Sequence, residues 1–248
     1  MNNGNRSGEK EVKLSDEKYE ALAELYLQAG LGAKIHGLIH NLNNHVHVVD
    51  MQLAMLLNKA DASGNEPLSF FKDKLQRSAG GAGKIVSALQ QNGRCSFFAQ
   101  KEKVQINVRD YAQWLVEFWN NDLFFKHRVD CRLSCRQESL NLLVSPFHLH
   151  LCLDQAIKNA VESFMDHEKV QKHELGVNIH AHARAVKIQV SSQGVLPELD
   201  PWQEGISTKA KHLGMGLPLA AHAAGTWGWQ ISLDQQDDRV VFSMIIPA

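Results

Sequence analysis

The 248 residues carry 26 Lys and Arg against 27 Asp and Glu, a formal net charge of −1, with 44% hydrophobic and 21% charged residues. That balance describes a globular chain with room for one large domain or two small ones, and it gives no electrostatic case for nucleic acid or an anionic membrane as partner. No apolar run approaches the ~18 residues of a membrane span, and the start, MNNGNRSGEKEVK, lacks the apolar core of a signal peptide, so a cytoplasmic location is expected.

Residues 1–14 are polar and read as a mobile N-terminus. Ser15 makes an N-cap, with Asp16 and Glu17 favourably placed at the helix dipole and Leu14 able to staple against Tyr19. A helical pattern then runs to about Lys59, weakened and open to bending at Gly30, Gly32 and Gly37. Its apolar seam is Ile35, Leu38, Leu42, Val49 and Leu56, with His45 and Gln52 interrupting it. His36, Asn44 and His47 lie within about 40° of His40 at 100° per residue, so His40 points away from that seam. Such a face is either a His-rich solvated surface or a reactive one. His36 and His40 could share a metal ion, although no Cys, Asp or Glu lies close in the chain to complete a site.

Ala60 to Pro67, ADASGNEP, reads as a turn, and Leu68, Phe71, Leu75, Ala82, Ile85 and Leu89 form a second helix that folds back on the first. Two antiparallel helices leave a seam open, which a homodimer would close as a four-helix bundle. The small residues of SAGGAG, Ser78 to Gly83, would let helices approach closely. Beyond a boundary near residue 95, Asn107 caps a helix to about Asn121, Val129, Cys131 and Leu133 alternate as a strand, and SLNLLVS is a further strand. Ser145 and Pro146 open a third major helix. Val177 to Val190 is a hairpin, and WQISLDQQDDRVVFSMIIPA another. The expected class is α+β, with a helical hairpin over 15–94 followed by an α/β sandwich over 95–248. The four cysteines, Cys95, Cys131, Cys135 and Cys152, lack C-x-x-C spacing and read as reduced packing residues.

In the helix opened at Pro146 the core stripe is Leu149, Leu153, Ala156 and Ala160, while Gln155, Asn159, Glu162 and Asp166 share another face. Alone, that is an ordinary solvated face. Downstream, GISTKAKHLGMGLPLAAHAAG brings a glycine pair to a helix N-terminus, where backbone N–H groups and positive potential suit phosphates, with Lys209 as a mobile cation.

These motifs, in this order, resemble the transmitter region of bacterial two-component sensor histidine kinases. IHNLNNHV is similar to the phospho-acceptor box H-E-L-N-N-P-L, LDQAIKNAVESF to the N box, STKAKHLGMGL to the T-K-x-x-G-T-G-L-G-L of the ATP lid, and WQISLDQ…VVFSMIIP to the closing hairpin of the GHKL-type ATPase domain. The resemblance covers roughly Ile35 to Pro247. It implies that His40 is the phospho-acceptor, flanked by Asn41, and that Asn44 matches the position that orients an attacking water. It implies a nucleotide set of Gln155, Asn159, Glu162, Ser192, Gly194, Thr208, Lys209, Gly214, Met215, Gly216 and Leu217, with ATP and Mg²⁺ as cofactors and Asn159 as the Mg²⁺ ligand.

The chain departs from the family where Asn41 replaces the acid after the acceptor His and His45 replaces the Pro. The family's D-x-G-x-G becomes SSQGVLPE, with Ser192 at the position of the adenine-reading Asp, and His212 stands at the lid's first Gly. Losing that carboxylate removes on the order of 1.5–3 kcal/mol. The expected function is a histidine kinase that phosphorylates His40 from Mg-ATP and passes the phosphoryl group to a response-regulator receiver Asp. A phosphotransferase relaying between receivers without ATP, and a non-catalytic adaptor, are the alternatives. About fourteen residues before the first helix leave no room for an input domain, so a separate sensor or input protein is expected.

Overall fold

The computed structural model describes residues 14–61, 68–93, 100–137, 140–165, 172–182, 184–209 and 212–247. Expectations for residues 1–13, the centre of the ADASGNEP turn, Cys95, the boundary near residue 95 and Asp166 lie outside that set.

Helix α1 (Asp16–Asp61) starts where the Ser15 carbonyl accepts from the Lys18 and Tyr19 amides, and it continues unbroken through all three glycines. Helix α2 (Leu68–Gly93) packs against it, and Gly81 is the point of closest approach, since a Cβ there would lie 2.8 Å from Val49. This antiparallel register brings the end of α2 level with about Gly37. Leu38, Leu42, His45, Val49, Gln52 and Leu56 are accordingly covered or half-covered. Ile35, expected in the seam, is 47% exposed because it lies beyond the end of α2.

Strand β1 (Val104–Asn107) leads into α3 (Val108–Trp119), where Asn107 accepts from the Asp110 amide as its cap. Helix α4 (Leu123–Arg128) is capped by Asp122 and runs into β2 (Val129–Cys135). Strand β3 (Asn141–Val144) pairs with β1, and α5 (Pro146–Met165) begins with the Ser145 carbonyl taking the Leu149 amide. Then follow β4 (His173–His182), β5 (Ala185–Gln193), α6 (Gly216–Thr226), β6 (Gln230–Gln236) and β7 (Arg239–Pro247). The large sheet has the order β2-β4-β5-β7-β6, antiparallel except for the parallel β2–β4 edge.

Period-two alternation explains the layering. Leu175, Ile179, Ile188, Val190, Phe242, Met244 and Ile246 bury their side chains in the core with Leu149, Leu153 and Ile157 of α5 and Leu219 and Ala223 of α6. Each such side chain contributes about 1.5–3 kcal/mol. The result is a two-layer α/β sandwich preceded by a helical hairpin. Cys152 is in this core with its thiol pushed up to about 12 by burial, while Cys131 and Cys135 are only half-buried on the edge strand β2.

The N-terminal half of α1 lies across the sandwich. Ala23, Leu27, Lys34 and Gly37 are buried, and with half-buried Gly30 and Asn41 they recur at steps of four and three. Gly37 is required there: a Cβ would sit inside the Asn121 carbonyl. Lys34 makes a buried ion pair with Asp154 of α5 at 3.5 Å and lies 3.8 Å over the Trp119 ring. Tyr19 stacks on His222 at 4.0 Å, and Lys101 holds Glu20 and Glu24. Of the three glycines expected to weaken α1, Gly37 instead allows it to dock, while a Cβ at Gly30 or Gly32 would meet no close obstacle.

Candidate functional site

A cavity of about 1010 Å³ opens between α5, the end of β5, the loop before α6 and the outer strands. Helical spacing puts Gln155, Asn159 and Glu162 on one wall, and β5 delivers Ser192 and Gly194 to another. Thr208, Lys209, Gly214, Met215, Gly216 and Leu217 supply the third, so the whole nucleotide set expected from the sequence surrounds one cavity. Gly214 has φ +63, and its Cβ position is filled by the Ile206 backbone. Gly216 has no room for a Cβ against the Gln155 amide oxygen. Gly214 is therefore required by the turn that brings the lid to α5, whereas a Cβ at Gly216 would displace the Gln155 amide.

The polar groups in the cavity are already engaged with one another. Glu162 holds Lys209 at 2.6 Å, with His212 at 3.6 Å and Lys158 at 4.0 Å. Asn159 Nδ2 is buried without a partner. Ser192, at the expected adenine end, is almost fully buried and brings no charge.

Sequence reasoning missed the fourth wall. Leu22, Leu25, Tyr26 and Ala29 of α1 line the cavity, with the Tyr26 hydroxyl beside the Met215 backbone of the lid. Desolvation raises the Tyr26 hydroxyl above its ordinary range, so it is an uncharged phenol. The only signal was the four-and-three recurrence of the docking stripe that holds this segment down.

His40 is elsewhere. It is exposed, and its Nδ1 lies 3.4 Å from the Asn44 amide. The Asn44 group that faces it is Nδ2, which donates, so Nδ1 is the acceptor and the ring proton sits on Nε2, turned to solvent. Asn41, the next residue, turns the other way: Lys126 of α4 donates to its oxygen at 2.5 Å, and it reaches Asn121 at 3.5 Å. Asn41 and Asn44 also border a cleft of about 360 Å³ between the hairpin and α3–α4, with His45, Lys84, Glu117 and Lys126. Along α1, His40 stands roughly 16 Å from Ala29 in the cavity wall, whereas in-line transfer needs about 3–3.5 Å.

A helical hairpin followed by this sandwich, with a cavity between α5 and a glycine-bearing lid, is the architecture of a histidine kinase transmitter region with its ATPase-type domain. The nucleotide-free catalytic domain of the histidine kinase ThkA superposes with a TM-score of 0.52 at 18% identity, covering 59% of this chain and 95% of that one. ThkA in complex with the response regulator protein TrrA gives 0.50 at 15% identity, covering 95% of this chain and 68% of that one. No family model matches the sequence, and no curated protein does. Among the described residues, no helix is long and apolar enough to cross a membrane.

Proposed function

We propose that this protein is a two-component phosphotransfer protein in which His40 carries the phosphoryl group to and from the aspartate of a response-regulator receiver domain. The observation that carries this is His40 itself, exposed on α1 with Nδ1 positioned by Asn44. The Nε2 lone pair attacks the phosphorus of an aspartyl phosphate. The N–P bond forms as the P–O bond to the aspartate breaks, the carboxylate leaves with the electron pair, and the ring proton, moved from Nε2 to Nδ1 through solvent before the attack, stays on Nδ1. The reverse step recharges a second receiver. Lys84 and Lys126, in the cleft beside Asn44, suit an acidic receiver loop.

A homodimer completes the hairpin. Ile39, Val46, Leu53 and Leu57 of α1 and Leu75, Val86 and Leu89 of α2 are exposed, a larger apolar surface than a lone hairpin sustains. A second copy would bury it as a four-helix bundle in the cytoplasm, with a separate input protein.

ATP and Mg²⁺ are weighed by the cavity's own groups. The glycines and the Asn159 amide suit a triphosphate with its metal. Lys209 is taken by Glu162, Tyr26 crowds the Met215 backbone, and Ser192 brings no carboxylate. In the docked arrangement, then, the residues do not fit Mg-ATP. A kinase charging His40 from Mg-ATP is the second reading, favoured by the retained glycines, and it requires α1 to leave the sandwich. Incubation with receiver domains charged by radiolabelled acetyl phosphate separates the two. Acid-labile label on wild-type protein, lost in His40→Gln, supports the phosphocarrier. Label from Mg-ATP, lost in Asn159→Ala, supports the kinase.

A further inference from the structure

We infer that the large cavity is a binding site for a small, mostly apolar ligand carrying no more than one negative charge, rather than for a nucleoside triphosphate. This concerns ligand choice at the cavity and does not depend on the source of phosphate for His40.

Charge comes first. Among the described lining residues, Lys158 and Lys209 are balanced by Glu162 and Asp200, so the walls offer no net positive charge to a polyphosphate. Glu162 stands within 4.0 Å of Lys158, Lys209 and His212, and phosphates placed beside those cations would meet its carboxylate. Tyr26 stands beside the Met215 backbone of the lid, in the space a phosphate oxygen would need. The remaining walls are apolar: Leu22 and Leu25 from α1, Leu196 after β5, and Leu233, Val240 and Phe242 from the outer strands. Asn159, in the α5 wall, has its Nδ2 buried and without a partner, and a turn of that side chain into the cavity would offer it to a hydrogen-bond acceptor on the ligand. An apolar body with one acceptor is the usual chemistry of a pocket of about this volume. Because α1 forms one wall, occupancy is felt by the helix that carries His40, which makes such a ligand an input signal.

The probe is 1-anilinonaphthalene-8-sulfonate, apolar with a single negative charge, titrated into the full chain and followed by fluorescence. Wild type is expected to show a saturable component that millimolar Mg-ATP does not displace. Leu25→Glu, an exposed wall position, should abolish that component, while Leu143→Glu on the distant exposed face of β3 should keep it. Glu162→Gln frees Lys209 and should make Mg-ATP a competitor at least tenfold stronger than in wild type. No saturable component, one that survives Leu25→Glu, or displacement from wild type by submillimolar Mg-ATP would each overturn the proposal. His40→Gln, which ends phosphotransfer, should leave the titration unchanged, so the two readings fail separately. Circular dichroism confirms that each variant is folded.

Discussion

The two halves of α1 bury themselves in different ways. Up to Asn41 the helix is fastened to its own sandwich by position-specific devices: a glycine against a carbonyl, a buried ion pair, a lysine over an indole. Beyond Asn41 it packs mainly on α2, with half-buried Leu42, Val49 and Leu56 and buried Gln52 in the seam, and Ile39, Val46, Leu53 and Leu57 stay exposed. Generic apolar surface suits the proposed second copy of the same helix, whereas the specific devices hold one arrangement within the chain.

The ion pair is the most sensitive point of the first half. Asp154→Ala leaves Lys34 buried and unpaired, with an expected loss of about 3–5 kcal/mol, measured by urea unfolding. The double replacement Lys34→Met with Asp154→Leu should return most of it. Acid tests the same region. His150 is buried against Tyr111, Trp114 and Phe118, and burial lowers its pKa to about 4. The unfolded chain, titrating near 6.5, binds that proton first, so this stability is complete above pH 6.5 and is lost as pH falls towards 4. The loss amounts to about 3 kcal/mol, and His150→Gln should flatten the unfolding free energy over that window.

Gly37→Ala drives a methyl into the Asn121 carbonyl and should cost about 1–3 kcal/mol. Hydrogen exchange should show α1 loosened before Asn41 while α2 and the far half keep their protection. The smallest effect on unfolding belongs to the second half. Leu53→Glu on the open face should change sandwich stability by no more than about 0.5 kcal/mol, yet sedimentation should show the dimer dissociated. A dimer surviving that change would remove the distinction between the halves.

Much of this was legible in the sequence because its signals are local. Asn107 caps α3, Ser145 opens α5, and strict alternation marks β5 and β7. Gln155, Asn159 and Glu162 share a helix face by spacing alone. The docking stripe was illegible because Gly30, Lys34, Gly37 and Asn41 are not apolar. Their burial has meaning only against Asp154 and Asn121, the latter 80 or more residues along the chain from both Asn41 and Gly37. The Tyr26 wall followed from that docking and was hidden with it. The parallel β2–β4 pairing and the short β1 and α4 depend likewise on partners distant in the chain.

One continuous helix carries both the docking stripe and His40, so the two share an angular register. Inserting a single residue between Gly37 and His40 would turn everything beyond it by about 100°, carrying His40 and Asn41 off their faces while leaving the docking contacts up to Gly37 in place. Inserting seven would nearly restore the angle and displace His40 by roughly 10 Å along the axis. Phosphotransfer measured across such a series would separate the direction in which the histidine points from the height at which a receiver must find it.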